Sequence, residues 1–195
     1  MISLIDYGAG NTASVANVLK DLNCEFKITN NEFDICNSEK VIFPGVGEAS
    51  FAMRNLHMTN LFTMLRVVKK PLLGICLGMQ LLCDKSKEGN VCGLGIFPYS
   101  TEKFDESKIK VPHMGWNQVS FAKPSKLFDN INGGEFFYFA HSFYVPMNEL
   151  STSVCSYDVD FCASMEKENY YGVQFHPEKS GPAGIQLIKN FLEKC

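Results

Sequence analysis

Leu72-Leu73-Gly74-Ile75-Cys76-Leu77-Gly78-Met79-Gln80 sets a short, wholly apolar run directly against a Gly-x-Cys-x-Gly turn and the opening of a helix. Residues 72–75 read as a strand with no face in water, the pattern of a central strand in a parallel sheet. The turn that follows has the form of a nucleophile elbow, with cysteine where hydrolases more often carry serine. Both glycines have a mechanical reason: a sharp strand-to-helix turn leaves no room for a Cβ on either side and lifts the middle side chain to the sheet edge. A thiolate of Cys76 would face free amide groups at the helix start. A buried cysteine in a glycine-rich turn is the alternative reading of these five residues alone.

Outward from this stretch, strands and helices alternate. Residues 2–7 form an apolar segment closed by Gly8-Ala9-Gly10-Asn11, and Val15, Val18, Leu19 and Leu22 follow at helical spacing. Residues 25–28 and 40–43 read as two more strands, the latter stopped by Pro44-Gly45-Val46-Gly47. A helical stretch with Leu61, Leu65 and Val68 on one face ends before Pro71. After about residue 95 the period becomes two, over residues 110–121, 136–145, 161–165 and 170–175, with Lys167-Glu168-Asn169 as a hairpin turn. A last helix over residues 183–194 carries Ile185, Ile188 and Leu192 inward. The expected fold is α/β: an open, mostly parallel central sheet with helices on both faces and additional antiparallel strands in the C-terminal half. No linker or repeat interrupts it, so residues 1–195 are expected to form a single domain.

Composition narrows the function. The 195 residues are 46% hydrophobic and 20% charged with a formal net charge of -3, ordinary globular chemistry without a basic run. Nucleic acid is therefore a poor partner. No apolar run approaches the about 18 residues of a membrane span, and the first residues lack a signal-peptide pattern, so a cytoplasmic protein is expected. Eight cysteines show no zinc-ribbon or redox spacing and read mostly as small core residues. Gly8-x-Gly10-x-x-Ala13 fits a dinucleotide fingerprint only loosely, since Ile28-Thr29-Asn30 stands where the ribose-binding acid belongs. No phosphate loop for ATP is visible.

A nucleophilic thiol needs a base, and the base an orienting group. Of four histidines, His57 lies in a polar stretch and reads as surface, while His113 and His141 interrupt apolar segments and read as core. His176 stands just past a strand end, and His176-Pro177-Glu178 puts a carboxylate two residues on, on the same side of an extended segment. An oxyanion would find donors in the amide of Leu77 and in the loop Gly45-Val46-Gly47. The residues point to thiol-dependent acyl transfer; a cysteine peptidase or another thiol hydrolase fits them as well.

Pro44-Gly45-Val46-Gly47, residues 74–80, Pro112-His113-Met114-Gly115-Trp116-Asn117 and Gly172-Val173-Gln174-Phe175-His176-Pro177-Glu178-Lys179-Ser180 resemble the class I, triad-type glutamine amidotransferases, whose fold is flavodoxin-like. Within that class the resemblance is to the glutaminase subunits serving imidazole glycerol phosphate synthases of histidine biosynthesis. It covers nearly the whole chain, with Glu48-Ala49-Ser50 departing from a stretch that usually bears glycine. The resemblance implies that Cys76 attacks the glutamine side-chain amide, His176 moves the proton and Glu178 orients His176. It implies an oxyanion hole at Val46, Gly47 and Leu77, and glutamine binding by Gly47, Gln80 and the His141-Ser142-Phe143 loop. Asn11, Trp116, Tyr138 and Lys179 would face a partner or an ammonia gate. The implied partner is a separate (β/α)8 barrel synthase subunit in a heterodimer, and no cofactor or metal is implied. A paralogous subunit for amidation of a bacterial surface sugar, or a non-catalytic regulatory domain of the same fold, shares these implications in part.

Overall fold

In the computed structural model, which describes residues 1–195, the chain opens with β1 (Ile2–Ile5) and α1 (Thr12–Asp21). Asn11 caps α1, its Oδ1 accepting the Ser14 amide at 3.4 Å. Next come β2 (Phe26–Thr29), α2 (Glu32–Asn37), β3 (Lys40–Gly45), α3 (Ala49–Met58) and α4 (Leu61–Val67). The single helix expected before Pro71 is thus the second of two, parted where Asn60 takes a left-handed φ of 58°. β4 (Leu72–Cys76) then runs without a break into α5 (Leu77–Leu81).

The later half is β-rich, as its two-residue period predicts. β5 (Cys83–Ser86), β6 (Val91–Cys92), β7 (Phe97–Lys103), β8 (His113–Gln118) and β9 (Ser120–Phe121) precede β10 (Phe136–His141) and β11 (Phe143–Tyr144). β12 (Ser151–Tyr157), β13 (Val159–Lys167), β14 (Tyr170–Val173) and α6 (Gly181–Lys194) complete the chain. The main sheet has eight strands in the order β2-β1-β3-β4-β14-β13-β12-β9. It is parallel from β2 to β14 and antiparallel beyond. β10 with β8 makes a two-stranded ribbon, and β11-β7-β5-β6 a small second sheet.

Alternate residues of the parallel strands feed two cores, one on each face. Val41, Phe43 and Leu72 pack with α3 and α4 through Ala52, Leu56 and Leu65. Ile42, Leu73 and Ile75 pack with α1 and α6 through Val15, Leu19, Leu187 and Phe191. Burial on both faces is why these strands read as continuous apolar runs. No helix is long and apolar enough to cross a membrane.

Several elements differ from the sequence reading. Ile185 faces outward at 40% exposure and Leu192 is half-buried, because α6 turns Leu187, Ile188 and Phe191 to the sheet. β12 escaped notice because its sequence, Ser-Thr-Ser-Val-Cys-Ser-Tyr, is polar. Its buried hydroxyls satisfy one another: Thr152 and Ser153 each lie 2.6 Å from the Ser164 hydroxyl on β13. Paired in this way, they remove the usual cost of burial. α2 is too short to show a period, with only Ile35 buried.

Candidate active site

The elbow is built as its glycines require. A Cβ on Gly78 would lie 2.0 Å from the Phe43 carbonyl oxygen, so the first turn of α5 can press against β3 only with glycine there. Cys76 takes φ 54° and ψ −110°, a strained backbone for a residue with a side chain. The strain turns its sulfur over the C-terminal edge of the sheet, where ligands of open α/β sheets bind.

β14 pairs with β4 in parallel, Val173 opposite Ile75, so Cys76 and the residues after Val173 emerge side by side. His176 Nδ1 lies 2.8 Å from Glu178 Oε1, and both side chains are almost wholly buried. The sequence suggested that Glu178 reaches His176 along an extended segment. Instead residues Pro177–Lys179 form a 3₁₀ turn, closed by the Lys179 amide on the His176 carbonyl at 3.0 Å. Proline suits the first position of such a turn, where no amide hydrogen is needed. Burial disfavours a charged His176, but the Cys76 sulfur, by charge and hydrogen bonding, and the Glu178 carboxylate outweigh it and raise the pKa to about 10. With Nδ1 held by Glu178, Nε2 is the ring atom left for the sulfur.

A cleft of about 260 Å³ opens over Cys76. Val46, Gly47, Leu77, Gln80, His141, Ser142, Phe143, His176 and Lys179 all line it, while Glu178 stands behind His176. Val46 does not offer its amide to the cleft: that N–H donates to the Ala9 carbonyl at 2.8 Å. The hydrogen-bonding need of a strand end wins over the expected oxyanion role in this conformation. The Gln80 side-chain amide is likewise engaged, donating to the Phe143 carbonyl at 2.7 Å and to Gln174 Oε1 at 2.8 Å. Gln174 Nε2 in turn lies 3.6 Å from the Cys76 sulfur.

His113 and His141 are buried, as expected, and joined, His113 Nδ1 to His141 Nε2 at 3.0 Å. His141 Nδ1 must carry the hydrogen, because its partner at 2.8 Å is the Phe143 carbonyl. His141 Nε2 then accepts from His113 Nδ1, and His113 Nε2 accepts from the Asn117 amide at 3.2 Å. This chain of donors fixes the loop that walls the cleft. His57 is exposed.

Trp116, 55% exposed, meets Tyr138 edge-on with ring centroids 6.2 Å apart, and Lys179 Nζ sits 5.7 Å over the same tyrosine ring. These three form one surface beside the cleft; Asn11 instead caps α1. Sequence reasoning missed Gln174 and Glu88. Glu88 lies between β5 and β6, lines the cleft, and accepts the Ala49 amide at 2.9 Å, so the Glu48-Ala49-Ser50 departure is accommodated at the start of α3. No motif marked Glu88, whereas Gln174, two residues before His176, could have been flagged by the strand's period of two.

A strained cysteine at a strand end, beside a carboxylate-held histidine that follows the neighbouring strand, is an arrangement suited to thiol-dependent acyl transfer. A family model described as class-I glutamine amidotransferase matches residues 3–195, and the chain belongs to that family. The imidazole glycerol phosphate synthase subunit HisH of Bacteroides fragilis strain YCH46 is 47% identical across 98% of both chains. The HisH subunit of Haemophilus influenzae strain Rd is 44% identical over 99% of this chain and 97% of its own. A solved structure described as a glutamine amidotransferase superposes with a TM-score of 0.76 over 99% of this chain and 98% of that one; at 15% identity it speaks for the fold alone.

Proposed function

We propose that the chain is the glutaminase subunit of an imidazole glycerol phosphate synthase, releasing ammonia from glutamine for a partner synthase in histidine biosynthesis. The observation that carries the chemistry is the 2.8 Å bond from His176 Nδ1 to Glu178, beside the Cys76 elbow. Full-length likeness to HisH subunits supports the pathway.

The Cys76 thiolate adds to the side-chain amide carbon of glutamine, and the oxyanion is received by the Leu77 amide and by a second amide from the Val46–Gly47 loop. His176 gives the leaving nitrogen its proton, the C–N bond breaks, and ammonia departs from a γ-glutamyl thioester. Water then adds to the thioester while His176 takes its proton; the C–S bond breaks, leaving glutamate and the Cys76 thiolate beside protonated His176. Glu178 holds the imidazole tautomer throughout. Glu88, the only acid lining the cleft, is suited to the ammonium group of the substrate, and the His141–Phe143 loop shapes the opposite wall.

Trp116, Tyr138 and Lys179 form the surface for a (β/α)8 barrel partner, and ammonia passes there. Ammonia lost to water at neutral pH becomes ammonium, which is no nucleophile, so silence without a loaded partner is chemically useful. The Val46 amide on Ala9 is the silent state, and rotation of the Gly45–Val46 peptide supplies the missing donor. One absent oxyanion donor costs about 10²–10³ in rate. The test is glutamine hydrolysis by the chain alone, with the histidine-pathway barrel, and with that barrel plus a ligand of its active site. Strong activation only in the third mixture is expected. Equal rates sink the switch, and activation by a sugar-pathway barrel alone reassigns the pathway.

A further inference from the structure

Tyr7 stands just past β1, 3% exposed, its ring tilted against Phe43 with centroids 5.1 Å apart. Its hydroxyl is buried without a hydrogen-bond partner, a condition shared only with Glu178 Oε2 among the buried side chains. An unmet buried hydroxyl weakens the fold. Phenylalanine would fill nearly the same space without that cost.

The position of this hydroxyl is specific. A Cβ on Gly45 would lie 2.8 Å from the Tyr7 oxygen, 2.5 Å from the Gly78 amide nitrogen and 2.8 Å from the Leu77 Cβ. The unpaired donor therefore sits between the loop bearing Val46 and the helix start bearing Leu77, the two proposed sources of oxyanion donors. Burial, and then the charge of nearby Cys76, hold its pKa above the ordinary phenol value, so it stays a donor.

We propose that Tyr7 is a positioning residue of the oxyanion loop, its hydroxyl donating to the Gly45 carbonyl when the Gly45–Val46 peptide turns. This rests on the glutaminase reading above. In a trans peptide the N–H and C=O point to opposite sides. When the Val46 N–H leaves Ala9, the Gly45 carbonyl swings toward the side it vacated, where Ala9 offers only another carbonyl. A donor is then required, and Tyr7 is the uncommitted one beside Gly45. The resting state carries its unmet hydrogen bond, and the active state relieves it.

Tyr7→Phe separates this role from packing. The variant should melt at or a few degrees above the wild-type temperature, since it loses only an unmet hydroxyl. Its glutamine kcat with the loaded barrel should nonetheless fall about tenfold or more, with KM little changed. Wild-type stimulated kcat in Tyr7→Phe overturns the proposal, and so does a joint fall of melting temperature and kcat, which marks a structural residue. Cys76→Ala, run alongside, guards the underlying reading: glutaminase activity surviving in it defeats that reading, and the proposal with it.

Discussion

The Val46 amide and the Ala9 carbonyl are hydrogen-bonded at 2.8 Å, tying the proposed oxyanion loop to the turn after the first strand. The loop continues through Gly47, whose φ is +90° and around which a Cβ would meet nothing within 4 Å. Gly47→Ala therefore tests backbone freedom without a clash. A left-handed φ costs a residue with a side chain roughly 1–2 kcal/mol. The variant should lose that order of stability in denaturant titration, and its partner-stimulated kcat should fall by an order of magnitude or more. Unchanged stimulation would mean that the loop turns elsewhere.

Replacing the three proposed catalytic groups should give graded losses. Cys76→Ala should abolish glutamine-dependent synthesis while added ammonium salt still supports the partner. Removing a general acid–base costs on the order of 10²–10⁴, the range expected for His176→Ala. Glu178→Gln should retain more kcat/KM than His176→Ala, since it orients rather than transfers protons. Full activity in His176→Ala refutes the triad.

Thiol chemistry should single out Cys76. Burial raises the pKa of Cys155 and Cys162 to about 12 and pushes Cys83 up as well, so none of the three offers a thiolate near neutrality. Cys36 and Cys92 are exposed and in no disulfide. Peptide mass spectrometry should find iodoacetamide on Cys36 and Cys92 but an electrophilic glutamine analogue on Cys76. Analogue on the exposed pair, with Cys76 untouched, contradicts the assignment.

The buried histidine pair should make stability fall with acid. Burial lowers the His113 pKa to about 4 and, with help from neighbouring histidines and against the Phe143 hydrogen bond, the His141 pKa to about 3. Between the ordinary value of 6.5 and those values the unfolded chain binds more protons than the folded one. Stability is then lost as pH falls through that window, at about 1.4 kcal/mol per unit for each group at its steepest. Melting temperature should drop between about pH 7 and pH 5, before most carboxylates titrate. A flat profile over that range would show that both rings protonate in place.

Glu88→Gln keeps an acceptor for the Ala49 amide but removes the cleft's only carboxylate. Glutamine KM should rise about tenfold with kcat nearly unchanged, the signature of lost uniform binding. An equal fall in kcat alone would place Glu88 elsewhere in the cycle.

Residues 72–80 determined a buried central strand and a strand-to-helix turn, because an apolar run and two glycines leave one economical geometry, but the reading of Cys76 as a nucleophile needed His176-Pro177-Glu178 as well. β1, β3 and β4 were plain as well, since burial on both faces writes itself as nearly continuous apolar runs, whereas α2 and the break between α3 and α4 left no such mark. β12 was hidden because its interior is polar and satisfied by Ser164, a partner on another strand. The side chains around Cys76 were legible as types, but not their commitments. Only the folded chain decides that Glu178 reaches His176 through a 3₁₀ turn, that Gln80 is held by Phe143 and Gln174, and that the Val46 amide is spent on Ala9. The Gln80 and Val46 bonds join residues tens of positions apart, and which donor meets which acceptor there is fixed by strand register rather than by local sequence.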